Sequence, residues 1–143
     1  MSATHKLVRL RALTPLQRRV LGEALLLLPA ACAGLKVAGM RRTREALTRF
    51  APRGEPAEGM DAAMVARLVA IAARHGPFRA RCLSASLTLE SLLRRYGLHG
   101  ELRLGVRRHE GRIEAHAWIE HGGEALNGPR ADFQPFDETP LRR

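Results

Sequence analysis

Apolar residues recur at helical spacing through the first two thirds of the chain and at strand spacing thereafter. Thr14-Pro15-Leu16-Gln17 has the makings of a helix start: a hydroxyl cap, a proline suited to the first turn, and a glutamine that can reach back as a capping box. Leu16, Val20, Ala24, Leu27 and Leu28 continue that helix, and Pro29 is expected to end or kink it. Ala30 to Met40 reads as a second short apolar helix, and Arg41 to Phe50 as a basic, helix-prone segment. A Pro- and Gly-bearing loop, 51–56, follows. Asp61 is placed to cap a helix whose buried stripe is Val65, Leu68, Val69 and Ala72, with Gly76-Pro77 as its stop. A further helix is expected from about Arg81 to Tyr96, ending at Gly97.

The period then changes to two. Leu102, Leu104 and Val106 alternate with Glu101, Arg103, Gly105 and Arg107, which predicts a strand. After a turn at 108–111, Ile113, Ala115, Ala117 and Ile119 alternate with Glu114, His116, Trp118 and Glu120. The first set is expected on the core face, which leaves His116 and Trp118 on a face toward a cleft or solvent. Glu124 to Asn127 reads as a short third strand, and 128–143 as a Pro-bearing closing segment. Helices first and a strand meander second define an α+β fold, with N-terminal helices packed on a small antiparallel sheet. The chain divides into an N-terminal helical segment, 1–59, and a core, 60–143, forming together one compact domain; 143 residues leave little room for more.

Charge is unevenly spread. The net charge is +10, and residues 1–81 hold 15 of the 24 basic residues but only 5 of the 14 acidic ones. Lys6 and Lys36 are the only lysines. A non-enzymatic basic module binding nucleic acid or an acidic partner is one reading of this excess. Arginine-rich composition and solvated helix faces are the simpler one, because Phe50 is the only aromatic before Phe78 and stacking platforms need more. No nucleic-acid partner is therefore expected. Ala24 to Leu35, the greasiest stretch, is short of the roughly 20 residues a membrane span needs, so it is expected to be a buried helix. Two cysteines and no evident secretion signal point to a reducing, cytoplasmic setting. Neither a zinc-finger spacing nor a Gly-rich phosphate loop is present, so no metal and no cofactor are expected.

Three residues carry candidate chemistry. Cys82 falls at a predicted helix start, where unpaired N–H groups and the positive end of the dipole suit a sulfur nucleophile, and Arg79 and Arg81 add positive charge. A small core residue is the alternative. His116 in mid-strand can serve as its base, or be a surface histidine. Asn127 lies 11 residues on, past a Gly-Gly turn, where it can hold the imidazole as the third member of a Cys-His-Asn set, or simply form a turn before Gly128-Pro129.

The blocks around these residues resemble a known family. Arg81-Cys82-Leu83-Ser84-Ala85, Leu92 to Leu98, Glu101-Leu102-Arg103-Leu104-Gly105-Val106 and Glu114-Ala115-His116-Ala117-Trp118-Ile119-Glu120, in that order, are similar to the transglutaminase-like leader peptidases of lasso-peptide biosynthesis. The resemblance covers roughly residues 60 to 138. It implies a papain/transglutaminase-like core and a cysteine protease that removes the leader from a ribosomally made precursor peptide. Its implied partners are a separate leader-binding protein and a macrolactam-forming cyclase. Cys82 and His116 carry over directly. The family's third residue is usually an aspartate near position 127, which makes Asn127 the orienting residue here and Asp132 the alternative. The family commonly places an arginine where this chain has Ala85. An acyl transferase working through the same thiol differs only in the acceptor.

Overall fold

In the computed structural model, residues 9–51, 53–76 and 81–128 and the backbone of 134–135 are described. Among the described residues, helices α1 (Pro15–Val37), α2 (Gly39–Phe50), α3 (Ala62–His75) and α4 (Cys82–Arg95) precede the sheet. Strands β1 (Glu101–His109), β2 (Arg112–His121), β3 (Glu124–Ala125) and β4 (Gln134–Pro135) follow, in the antiparallel order β3-β2-β1-β4. The α+β expectation holds.

The start of α1 is built as its sequence indicates. Thr14 accepts from the Gln17 N–H at 3.2 Å, and the Gln17 side chain accepts from the Thr14 N–H at 3.0 Å. Pro29, expected to break this helix, lies inside it, and Ala30 to Val37 continue α1 instead of forming a second one. A proline removes the bond to the carbonyl four residues back. Here that carbonyl belongs to Leu25, on the solvent side, where water can satisfy it. The uninterrupted helix is consequently long and apolar enough to cross a membrane by length and composition, which the 12-residue apolar stretch alone is not. It buries Val20, Leu21, Ala24, Leu28 and Ala31 against the rest of the fold. Leu26 (76 % exposed) and Val37 (89 % exposed) lie on its outer side.

One core joins α1, α3, α4 and the sheet, with Val20, Val65, Leu68, Leu92, Leu93 and Ile119 at its centre. A smaller cluster of Ala31, Leu47 and Leu87 seats α2. Polar clamps reinforce both. Arg44 on α2 donates from Nε to both oxygens of Glu90 on α4, at 3.1 and 3.0 Å. Tyr96 donates to Glu23 on α1 at 2.9 Å, and Arg95 lies 3.4 Å from the same carboxylate.

The sheet meets the helices at one end only. Ile119 is buried and Leu102 packs against both clusters, but Ile113 (72 % exposed) and Ala115 lie outside the core they were expected to join. The β1–β2 hairpin is simply longer than the helix layer that covers it. Its turn is tighter than the four residues 108–111. His109 pairs with Arg112, and Glu110 (φ 48°) with Gly111 (φ 74°) fits the two-residue turn that favours right-handed strand twist. On the opposite face Trp118, expected beside a cleft or solvent, is fully buried. β3 is only two residues long, and β4, beside β1, falls in the segment read as loosely closing. Pro135 is tolerated there because β4 is at the sheet edge.

Leu93 packs where α4 meets the sheet, and a Cβ on Gly100 would lie 2.7 Å from Leu93 Cδ1 and 2.8 Å from Ile119 Cγ2. That seam has no slack to collapse into a void. Leu93→Ala should lower unfolding free energy by about 2–5 kcal/mol, measured by denaturant titration.

Candidate active site

Cys82 is the first residue of α4 and is half-buried. The helix caps differ in an informative way. Thr14 caps α1 and Asp61 caps α3 by accepting from the Met64 N–H at 2.7 Å, but Arg81, the cap of α4, makes no side-chain cap hydrogen bond. Arginine has only donors and cannot accept from the first-turn N–H groups. Those groups therefore retain their capacity to meet negative charge at Cys82.

Position along β2 follows from the direction of its backbone groups. The Ile119 carbonyl accepts from the Leu126 N–H at 2.8 Å, and the Ile119 N–H donates to Asn127 Oδ1 at 2.7 Å. Both point away from β1. Because alternate residues of a strand present their polar groups to the same side, Ala117 points the same way. The Ala117 carbonyl accepts from Ser86 Oγ at 3.0 Å, and Asn127 Nδ2 donates to that same Ser86 oxygen at 2.9 Å. Ser86 is one helical turn below Cys82, about 6 Å along the axis. Ala117 is the neighbour of His116. The first turn of α4 is thus tied, through Ser86, to the strand residue next to His116, at the margin of the sheet past the end of β3.

His116 is aimed at that margin. A Cβ built on Gly128, the residue after Asn127, would lie 2.4 Å from His116 Nε2 and 2.9 Å from Cε1, so the bare glycine backbone is what passes the ring. Gly128 also has φ +86°, a conformation that favours glycine. The other side of the ring faces Trp118, with centroids 5.8 Å apart and planes inclined by 18°. Trp118 donates from Nε1 to Glu120 at 3.2 Å, and Arg103 Nε lies 3.4 Å from Glu120. The ring is therefore backed by a tryptophan that is itself fixed by a charged pair. Burial, and secondarily the positive charge of Arg107, push His116 below the ordinary imidazole value of 6.5 and favour its neutral, proton-accepting form.

Asn127 reaches this margin, but its carboxamide bonds to Ile119 and Ser86 rather than to His116. Its carbonyl continues the ladder where β3 stops, and so it positions Gly128 over the imidazole. Asp132 and Arg79 lie outside the described residues. Sequence reasoning missed Ser86 and Glu120. A serine four residues after the cysteine, one helical turn on, was the available signal for Ser86. Among the described residues no group of three or more His, Cys, Asp or Glu side chains could hold a metal ion.

The chain belongs to the transglutaminase-like superfamily, whose family model matches residues 24–139. The match reaches back into α1, well before the segment around the cysteine. Cysteine-protease and acyl-transfer chemistry are common in this superfamily. No curated protein and no solved structure matches the chain.

Two outcomes follow from the imidazole's surroundings. The unfolded chain takes up a proton at its ordinary value near 6.5, and the folded one only at lower pH. The contribution of His116 to stability is thus complete above 6.5 and is lost as pH falls from there through the lowered folded value. NMR titration should place the His116 midpoint below 6.5. Gly128→Ala should shift the His116 ring resonances and cost roughly 1–3 kcal/mol, the range for a non-glycine residue held in the left-handed region.

Proposed function

We propose that the protein is a cysteine peptidase that cleaves the leader from a ribosomally synthesised lasso-peptide precursor, with Cys82 as nucleophile and His116 as base. The observation that carries the chemistry is the shared margin: a cysteine at an uncapped helix start and a neutral, backed imidazole, tied together through Ser86 and Ala117. The observation that carries the substrate class is the ordered set of blocks around Cys82, Leu102 and His116.

In this reading the Cys82 sulfur attacks the carbonyl at the leader–core junction as His116 accepts the thiol proton. The Cys82 backbone N–H, at the start of α4, meets the developing oxyanion. His116 then delivers its proton to the leaving amine, freeing the core peptide and leaving the leader as a thioester on sulfur. Water, activated by the same imidazole, releases the leader acid. Asn127 acts as the orienting residue through the backbone it holds. An amine in place of water would make the same thioester an acyl donor, and the product would then be an amide rather than a free acid.

In this proposal the protein works with a separate leader-binding protein and hands its product to a macrolactam-forming cyclase. The arginine-bearing α2 is the proposed docking face for that partner or for an acidic leader. Arg41 and Arg42 are exposed, whereas Arg44 is committed to Glu90. Charge reversal at Arg41 and Arg42 tests docking without disturbing that clamp.

Intact-mass analysis of precursor incubated with the protein and the leader-binding partner tests the function. Wild type should yield a free leader acid and core peptide. Cys82→Ala and His116→Ala should each lower the rate by at least about a thousandfold, because the members of such a site act as a unit. Leader release by Cys82→Ala at the wild-type rate would refute the assignment.

A further inference from the structure

The margin that gathers Cys82 and His116 changes character at His116. Toward the C-terminal end of β2 it is closed: β3 pairs with Glu120 and His121, Asn127 takes the Ile119 N–H, and Ser86 takes the Ala117 carbonyl. Toward the hairpin it is open. By the same alternation, Ile113 and Ala115 point their N–H and C=O groups to this side, away from β1. Among the described residues no strand pairs with them there. Both residues are exposed, Ile113 at 72 %. Open edges are usually protected by a lysine, a proline or a bulge. This one has no proline or bulge: Ile113 and Ala115 alternate with Arg112 and Glu114 in an unbroken register with β1, and Glu114 is tied to Arg107 across the strands.

We propose that this edge receives the acyl-side residues of the substrate polypeptide as an added strand and so delivers the reacting carbonyl to Cys82. The inference rests on the thiol chemistry proposed above and adds how the substrate is held. An added strand lies about 4.8 Å from β2. It can run along Ile113 and Ala115, but Ser86, Asn127 and Gly128 stop it beside His116. The point where pairing must end is therefore the point where the helix start lies. Main-chain pairing accepts many side chains, and Ile113 offers apolar contact to one face of the guest. Hydrolysis and acyl transfer share the same acyl-side segment, so an edge built for it serves either outcome.

Peptidyl chloromethyl ketones test this on the unaltered protein. The Cys82 sulfur displaces chloride, forming a carbon–sulfur bond, and mass mapping of the adduct reports the rate. Acetyl-tetraalanyl chloromethyl ketone should alkylate Cys82 at least about tenfold faster than the acetyl-alanyl reagent, since each added main-chain bond is worth a few-fold. In a series methylated at one amide at a time, the gain should vanish at alternate amides and persist within about twofold at those between, the signature of strand pairing. Alkylation indifferent to peptide length, or equally reduced by methylation at every amide, would overturn the added strand while leaving the reactive thiol standing. Failure of Cys82 to react with any of these ketones or with iodoacetamide would instead remove the thiol assignment, and the delivery proposal with it.

Discussion

The Ser86 hydroxyl donates to the Ala117 carbonyl and accepts from the Asn127 carboxamide, so a helix, a strand and the segment after β3 converge on a single oxygen. Ser86 is fully buried, which makes both bonds count. A buried hydroxyl lacking a partner would cost about 1–3 kcal/mol, so the three segments are held together or the fold is strained. Everything at the site follows from this join. It fixes how far α4 slides along β2, and therefore where Cys82 stands relative to His116. It also holds Asn127, and with it the glycine that passes the imidazole.

The histidine is prepared by a second set of contacts on the other face of the sheet. Trp118 stacks on the ring, Glu120 takes the indole N–H, and Arg103 pairs with Glu120 and with Glu101 at 2.9 Å. These residues share a strand parity, so a single twist of the sheet moves them together. Their combined effect is to desolvate the imidazole. Of the groups facing it, Arg107 is positive and engaged at 2.7 Å with Glu114, whose carboxyl it holds below the usual range. Neutral imidazole is the outcome, and that is the form that can take a proton from a thiol.

The sequence made the skeleton legible because its signals were local. The Thr14-Pro15-Leu16-Gln17 cap, the Asp61 cap, the switch to alternation at Leu102 and the cysteine at a helix start are each written in a few neighbouring residues. Pro29 misled because the effect of a proline depends on whether the freed carbonyl can find water, which is a property of the packed helix. Ile113 and Ala115 misled because alternation shows which face a residue takes but not how far the covering helices extend. The assignment of Asn127 as a direct partner of His116 rested on strand adjacency. The structure places it at the right margin, but there the vacant ladder position at Ile119 competes for the same carbonyl. Ser86 sits one helical turn after Cys82, but that spacing alone does not separate a serine making a tertiary hydrogen bond from an ordinary helical one.

The cap of α4 shows how stability and chemistry divide here. Replacing a good N-cap residue by one that cannot accept costs about 0.5–2 kcal/mol. Good side-chain caps sit at α1 and α3, whereas α2, starting after Ala38, and α4, starting after Arg81 one residue before Cys82, have none. A serine or aspartate at position 81 would occupy the first-turn N–H groups and, as an acid, add negative charge beside the sulfur. Both changes would strengthen the helix and blunt the site. The deficit is made good two turns in, where Leu87, Leu89, Leu92 and Leu93 bury almost completely. The N-terminal turn can then remain electrostatically open because the C-terminal turns anchor the helix.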